Sequence, residues 1–329
     1  MKTCLGALLL SAFAAVVSAA AKDAQIDGYG TREILWGDAP WNPAGVPAAG
    51  DSVTINTGEN SAGSTLALDG AAVSSGALVL EGYTDLTLRA GASYAASETA
   101  DIRANSSLNL QDSSFSAAGS VYVNSQAALS LRNSSASIDP NSSDARIQLR
   151  GGAVVADGST FNAVVRTNST DGNSLSFSSS VLDARAYAGT QSIIDGTGSK
   201  NSYVFDNSKV YAGNSAGGYR IMGFYGLNTS VEFSNGSLFQ GSSYDFDASP
   251  ATAAAGGNAY FVTSTLERGG DSRFKVSGGS KFAAGTFFLG ANDELSSMTN
   301  AASGAVTLEI GGMRPAPERS LRQTNSALI

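Results

Sequence analysis

The chain of 329 residues contains no histidine. That absence removes the usual general base of serine and cysteine nucleophiles and the commonest metal ligand, so triad hydrolases and imidazole-based metal enzymes are excluded. Cysteine is almost as scarce: Cys4 is the single one, which leaves a zinc site without ligands and the chain without an internal disulfide. Charge is sparse as well. Only 15% of residues are charged, the formal net charge is −8 and no basic cluster stands out, so the chain lacks an electrostatic means of holding nucleic acid or anionic lipid. No catalytic residue, no cofactor and no metal are expected.

What the chain has in quantity is glycine, 38 residues of it, with abundant serine, alanine and asparagine, a composition suited to turns rather than helices. Between these turns a doublet recurs ten times, a large apolar residue on either side of a small or polar one, from Leu66/Leu68 to Val306/Leu308. Its period of two is that of a strand, so Leu108 and Leu110 point one way and Asn109 the other. The doublets also keep step. Leu68, Leu88, Leu110, Leu131 and Leu149 lie 20, 22, 21 and 18 residues apart, and Leu80, Ile102 and Val123 precede their partners by eight. From Ile147/Leu149 through Leu175/Phe177, Tyr203/Phe205 and Val231/Phe233 the step is 28, matched by a second column, Val154, Leu182, Val210 and Leu238, and a third, Val165, Ile193 and Ile221.

A recurrence of this length marks stacked supersecondary units that bury their apolar faces only against neighbours. The expected fold is all-β, a single-stranded parallel β-solenoid of about ten coils, which at roughly 4.8 Å per coil makes a rod on the order of 50 Å long. An antiparallel sandwich would also show short alternating strands, but it gives no reason for three columns to share one step. The step breaks once, between Phe233 and Val276. The surplus falls mostly in Ser242–Asn258, expected as a loop on one face that holds Tyr244 and Phe246.

Lys2, the apolar run Leu5–Val17 and the small residues Ser18, Ala19, Ala20 and Ala21 have the layout of a secretory signal peptide over residues 1–20, with cleavage expected after Ala20 or Ala21. Thirteen apolar residues are too few to cross about 30 Å of hydrocarbon. A cleaved, exported chain would keep no cysteine and would draw its stability from stacking. Residues 21–52, which hold both tryptophans and Pro40, Pro43 and Pro47, are expected as an N-terminal cap, 53–312 as the solenoid and 313–329 as a polar tail.

The stretch Trp36-Gly37-Asp38-Ala39-Pro40-Trp41-Asn42-Pro43-Ala44-Gly45-Val46-Pro47, leading through Gly50-Asp51 to Val53-Thr54-Ile55, resembles the opening of exported autotransporter-like β-helix proteins of bacteria. The resemblance covers some twenty residues. It implies a right-handed parallel β-helix, a secreted or cell-surface location, a structural or adhesive role, and a structural cap carried by Trp36, Trp41, Asn42, Gly50 and Asp51. Autotransporters also carry a C-terminal membrane barrel of many alternating strands. No such run follows Leu308, so a self-encoded anchor is not expected; free secretion, a split system or a truncated frame stay open.

Among candidate sites, Gly213-Asn214-Ser215-Ala216-Gly217 fits the G-x-S-x-G elbow but has no histidine to serve it. The enzymatic alternative is a polysaccharide lyase or glycoside hydrolase, which needs acidic pairs grouped on one face. The 28-residue register places Asp183 over Val155 and under Tyr211, and Asp206 between two serines, so no carboxylate column arises. Asp183 and Arg185 read as a solvated ion pair. Tyr211 and Phe239, each one residue past an inward position, are expected outward and one coil apart. With Tyr244 and Phe246 they are the candidate contacts for surface glycans or other surface proteins. Asn207, Asn235 and Ser179 share a column and are expected to form a hydrogen-bond ladder.

Overall fold

The structure, a computed structural model, describes residues 19–26, 32–58, 64–141, 145–167, 169–187, 194–196, 198–211, 220–224, 228–240, 259–263, 272–283, 286–289 and 306–310. Residues 1–18 of the expected signal segment 1–20, the insertion with Tyr244 and Phe246, the Gly213–Gly217 motif and the tail 313–329 lie outside the described residues.

Among the described residues, successive coils contribute short strands to three sheets of 12, 11 and 9 strands, parallel throughout except where Trp41–Asn42 runs antiparallel at the edge of the first. The chain passes from the first sheet to the second, then the third, then back to the first one level on, as in Ile147–Arg150, Ala153–Asp157, Thr160–Asn162 and Val165–Thr167. This is the parallel β-solenoid expected from the doublets. Among the described residues the one helical piece is a single 3-10 turn, Trp36–Asp38.

Because alternate residues face opposite sides of a strand, one residue column per inward position runs the length of the core. On the second sheet, Ile34, Leu66, Leu86, Leu108, Leu129, Val154, Leu175, Tyr203, Val231 and Phe274 are paired in succession and all buried. Two residues on, Leu88, Leu110, Leu131, Ala156, Phe177, Phe205 and Phe233 do the same. The aromatic part of this column is in contact, with ring centroids 5.6 Å apart from Phe177 to Phe205 and 4.6 Å from Phe205 to Phe233.

The 28-residue step holds between Leu175, Tyr203 and Val231 and fails below them. Ile147/Leu149 belong to the first sheet, over Val121/Val123, and the true neighbours of Leu175/Phe177 are Val154/Ala156. Doublets of all three sheets look alike in sequence, so equal spacing linked strands of different sheets. The second column is Phe161, Leu182, Val210 and Phe239, and the third is Val165, Ile194 and Met222. Thus Phe239 and Met222 stand where Leu238 and Ile221 are expected, and Ile194 takes the expected place of Ile193, which lies outside the described residues. At Leu238 the cause is Gly236: the corner Asn235-Gly236-Ser237 has one residue more than Asn207-Ser208, and Gly236 takes it up at φ +80°. A slip of one exchanges faces. Phe239, expected outward, is fully buried against Val210, which corrects its place among the candidate contacts.

The corner between the second and third sheets explains why the coils repeat. Asp112, Asn133, Ser179, Asn207 and Asn235 take the left-handed conformation there, as does Gly158. Short polar side chains and glycine tolerate it best. A buried serine follows at every one of these corners. The backbone N–H of Ser113 donates to Ser134 Oγ, Ser134 to Ser159, Ser159 to Ser180, Ser180 to Ser208 and Ser208 to Ser237, all at 3.0–3.1 Å. Ser134, Ser159, Ser180 and Ser208 each donate their own hydroxyl proton to the carbonyl two residues back, at 2.6–2.7 Å. The expected ladder is present only in its outer part, where Asn207 Nδ2 donates to Ser179 Oγ at 3.0 Å while Asn235 donates to Asp206.

Phe205→Ala should lower the unfolding free energy by about 3–5 kcal/mol, since it opens a gap between two stacked rings. Ser208→Ala should cost about 1–3 kcal/mol by leaving the buried N–H of Ser180 without an acceptor. Urea unfolding of both variants beside the wild-type chain checks the order.

Candidate functional site

The outward face of the third sheet carries a chemically varied column. Ser116, Ser137, Asn162, Asp183, Tyr211 and Gln240 are paired in succession there. Asp183 therefore lies on Asn162, and Val155 belongs to the second sheet. Tyr211 is where the sequence placed it, half-buried on the outer face one coil from Asp183.

The chain leaves the sheet after Asp183 in a tight turn that this carboxylate itself organises. Asp183 Oδ1 accepts the backbone N–H of Arg185 at 2.9 Å, an Asx turn, and the two oxygens accept the guanidinium through Nε at 2.9 Å and Nη2 at 2.6 Å. The same guanidinium lies over the Tyr211 ring, 4.3 Å from its centroid, within cation–π range. Tyr187 closes the turn from below. Its ring is buried, and its hydroxyl lies between the carbonyl oxygens of Ile138, at 2.6 Å, and Asn162, residues of two earlier coils, with one proton to donate. Ser137, Ile138, Pro140, Asn162, Asp183, Arg185, Ala186 and Tyr187 line an open groove of about 550 Å³ beside this column.

Charge states follow from these contacts. Burial opposes ionisation of Asp183, but the hydrogen bonds and charge of Arg185 outweigh it and hold the carboxyl below its ordinary range. Burial raises the Tyr187 phenol, so it stays a neutral donor. The groove thus offers a fixed carboxylate, a guanidinium with an exposed face, an aromatic flank and backbone and amide polar groups. A general acid at neutral pH needs a raised carboxyl pKa, and Asp183 has the opposite shift.

The predicted structural residues gather at the first level of the rod, several coils away from the groove. Trp36 and Trp41 are both buried with ring centroids 4.8 Å apart, Trp41 Nε1 donates to the Trp36 carbonyl at 3.0 Å, and Trp36 meets the Tyr94 ring edge-on at 5.7 Å. Asn42 pairs with Asp23 in the short antiparallel strand that ends the first sheet. Gly50 takes φ +90°. Asp51 is buried and accepts backbone N–H groups from Ala20 and Ala48, each at 2.9 Å, which hold its carboxyl below the ordinary range. A residue that the sequence reading passed over completes this end. Lys22 lies in register on Val53, so its aliphatic stem covers the last inward position, and its ammonium donates to the carbonyls of Pro43, Ala44 and Gly45 at 3.0–3.3 Å. The signal was available, because Lys22 has the same parity as the inward Ala24 and Ile26.

No group of three or more potential metal ligands occurs among the described residues. No helix of the described residues is long and apolar enough to cross a membrane. No family model, no curated protein and no solved structure matches the chain.

Because the folded carboxyl pKa of Asp183 is depressed, its pairing with Arg185 is fully present above about pH 4 and is lost as pH falls through the lower folded value. Carboxyl-carbon NMR should therefore give Asp183 a midpoint below that of exposed aspartates, and Arg185→Ala should move it upward.

Proposed function

We propose that the protein is an exported, non-catalytic β-solenoid of the autotransporter-passenger kind, structural or adhesive, that meets surface glycans through the groove at Asp183, Arg185 and Tyr211. The carrying observation is the arrangement of Arg185, bound to Asp183 and laid over Tyr211, beside an open groove. A half-buried aromatic ring flanked by a bidentate carboxylate–guanidinium pair suits a sugar ring, which offers an apolar face and a rim of hydroxyls. Support for export comes from the layout of residues 1–21 and from the absence of cysteine after them; support for a surface role comes from the parallel solenoid and the resemblance of Trp36–Ile55.

The enzymatic alternative, a lyase or glycoside hydrolase, needs a second carboxylate across a cleft and a group poised to move a proton. Asp183 is the one carboxylate lining the groove among the described residues, and it is committed to Arg185. Both facts favour binding over bond cleavage.

On a glycan array, the wild-type chain should bind a subset of glycans, and Arg185→Ala and Tyr211→Ala should each weaken that binding by about tenfold or more, the equivalent of about 1.4 kcal/mol. Phe239→Ala is not a test of contact, because it cavitates the core. Unchanged binding in both surface variants rejects the groove; release of new reducing ends from a bound polysaccharide, abolished in Asp183→Asn, establishes the enzymatic alternative.

A further inference from the structure

The first strand of the rod assigns the point at which the leader is removed, an inference that rests on the export reading above. Small residues fill positions 18–21, so a cut after Ala19, Ala20 or Ala21 places a small residue at the scissile position. Sequence alone favoured the last two. The geometry separates the three. Both backbone polar groups of Ala20 are engaged: its N–H donates to Asp51 Oδ1 at 2.9 Å, and its carbonyl accepts the N–H of Ser52 at 2.9 Å. The strand Ala21–Gln25 that follows pairs residue for residue with Ser52–Asn56. A cut after Ala20 would strip one oxygen of Asp51 and the N–H of Ser52 of their partners. A cut after Ala21 would also shorten the pairing.

Asp51 gives the second, independent observation. It is only 4% exposed, its other oxygen is taken by the Ala48 N–H, and its own carbonyl accepts from Gly76 of the next coil at 2.7 Å. Gly76 sits so close that an added Cβ would meet the Gly50 carbonyl oxygen at 2.7 Å, so the backbone that carries Asp51 is tightly packed against the next coil. In the uncut chain this buried anion meets Ala20 only through a neutral amide, and the Lys22 ammonium, spent on the carbonyls of Pro43, Ala44 and Gly45, adds a weaker attraction from a distance. A buried carboxylate is far better compensated by a full positive charge.

We propose that the mature chain begins at Ala20 and that its new α-ammonium locks onto Asp51. A leader peptidase of the exporting cell, with water as co-reactant, breaks the Ala19–Ala20 peptide bond: the water oxygen joins the Ala19 carbonyl as a carboxylate, and both water protons go to the Ala20 nitrogen, which becomes an ammonium. The donor at Asp51 thereby changes from amide to cation with no displacement of the strand. Removal of the leader strengthens the contact that closes the rod's first level.

The full-length chain, expressed with its leader in an exporting bacterium, is collected from outside the cytoplasm and its N-terminus read by intact mass and Edman sequencing. A start at Ala20 is expected. A start at Ala21 or Lys22 overturns the assignment and leaves export standing; an uncut chain held in the cytoplasm overturns both. In parallel, chains released scarlessly from a fusion to begin at Ala20 or at Ala21 are melted. The Ala20 chain should have the higher Tm, with the advantage reduced on Nα-acetylation of Ala20 and in the Asp51→Asn background, where the Ala20 carbonyl still accepts from Ser52. Equal Tm values for the Ala20 and Ala21 chains, or no loss on acetylation, overturn the lock.

Discussion

Inter-coil register is the constraint on which the rest of the molecule depends. A strand of three to five residues cannot hold itself, and here each one is kept in place by the strand before and after it at the same height on the same sheet. The buried serine ladder at the second corner enforces that register more strictly than the apolar columns do. An apolar column accepts Leu131, then Ala156, then Phe177 in succession, with neighbours adjusting to volume. The serine position offers no such latitude. A displaced hydroxyl would leave a buried N–H on the coil before it without an acceptor and a carbonyl on its own coil without a donor.

The corner residue and the serine behind it act as one unit. A left-handed residue turns the chain by the same amount on every coil, which brings the next hydroxyl under the N–H that needs it. Where an extra residue enters, as at Gly236, the ladder is still met: Ser237 Oγ accepts from Ser208 at 3.0 Å and donates to Ser234. The cost of the insertion is displaced onto the following strand, whose faces exchange. Phe239 is buried for that reason, and the same shift puts Gln240 beyond Tyr211 on the outer face.

Chemical variety on the third sheet concentrates where repetition lapses. The outer column of the third sheet is serine and alanine through Ser74, Ala95, Ser116 and Ser137, and it changes character at Asn162 and Asp183, where the chain leaves that sheet through the turn of Arg185 and Tyr187. Tyr187 joins that turn to carbonyls of two earlier coils, so the guanidinium is presented over Tyr211 from a fixed base. The rod's first level shows the opposite use of polar chemistry. There Lys22 and Ala24 lie in register on Val53 and Ile55, the Lys22 ammonium is held by backbone carbonyls, and the paired tryptophans join the same buried core.

The sequence by itself determined the class of fold, because alternation of two within a strand and recurrence of some twenty to thirty residues between strands are both properties of the chain's own order. It also determined the columns Leu88–Leu110–Leu131 and Phe177–Phe205–Phe233, where successive coils have nearly equal length. It could not decide which of three sheets a doublet belongs to, so Ile147/Leu149 were joined to the wrong neighbours, nor detect a one-residue insertion that turns Phe239 inward. Only the tertiary structure settled those points, and with them the groove. Which residues face each other across coils depends on the length of every corner in between, and a corner's length is fixed by hydrogen bonds to the coil beneath it rather than by anything local to the corner.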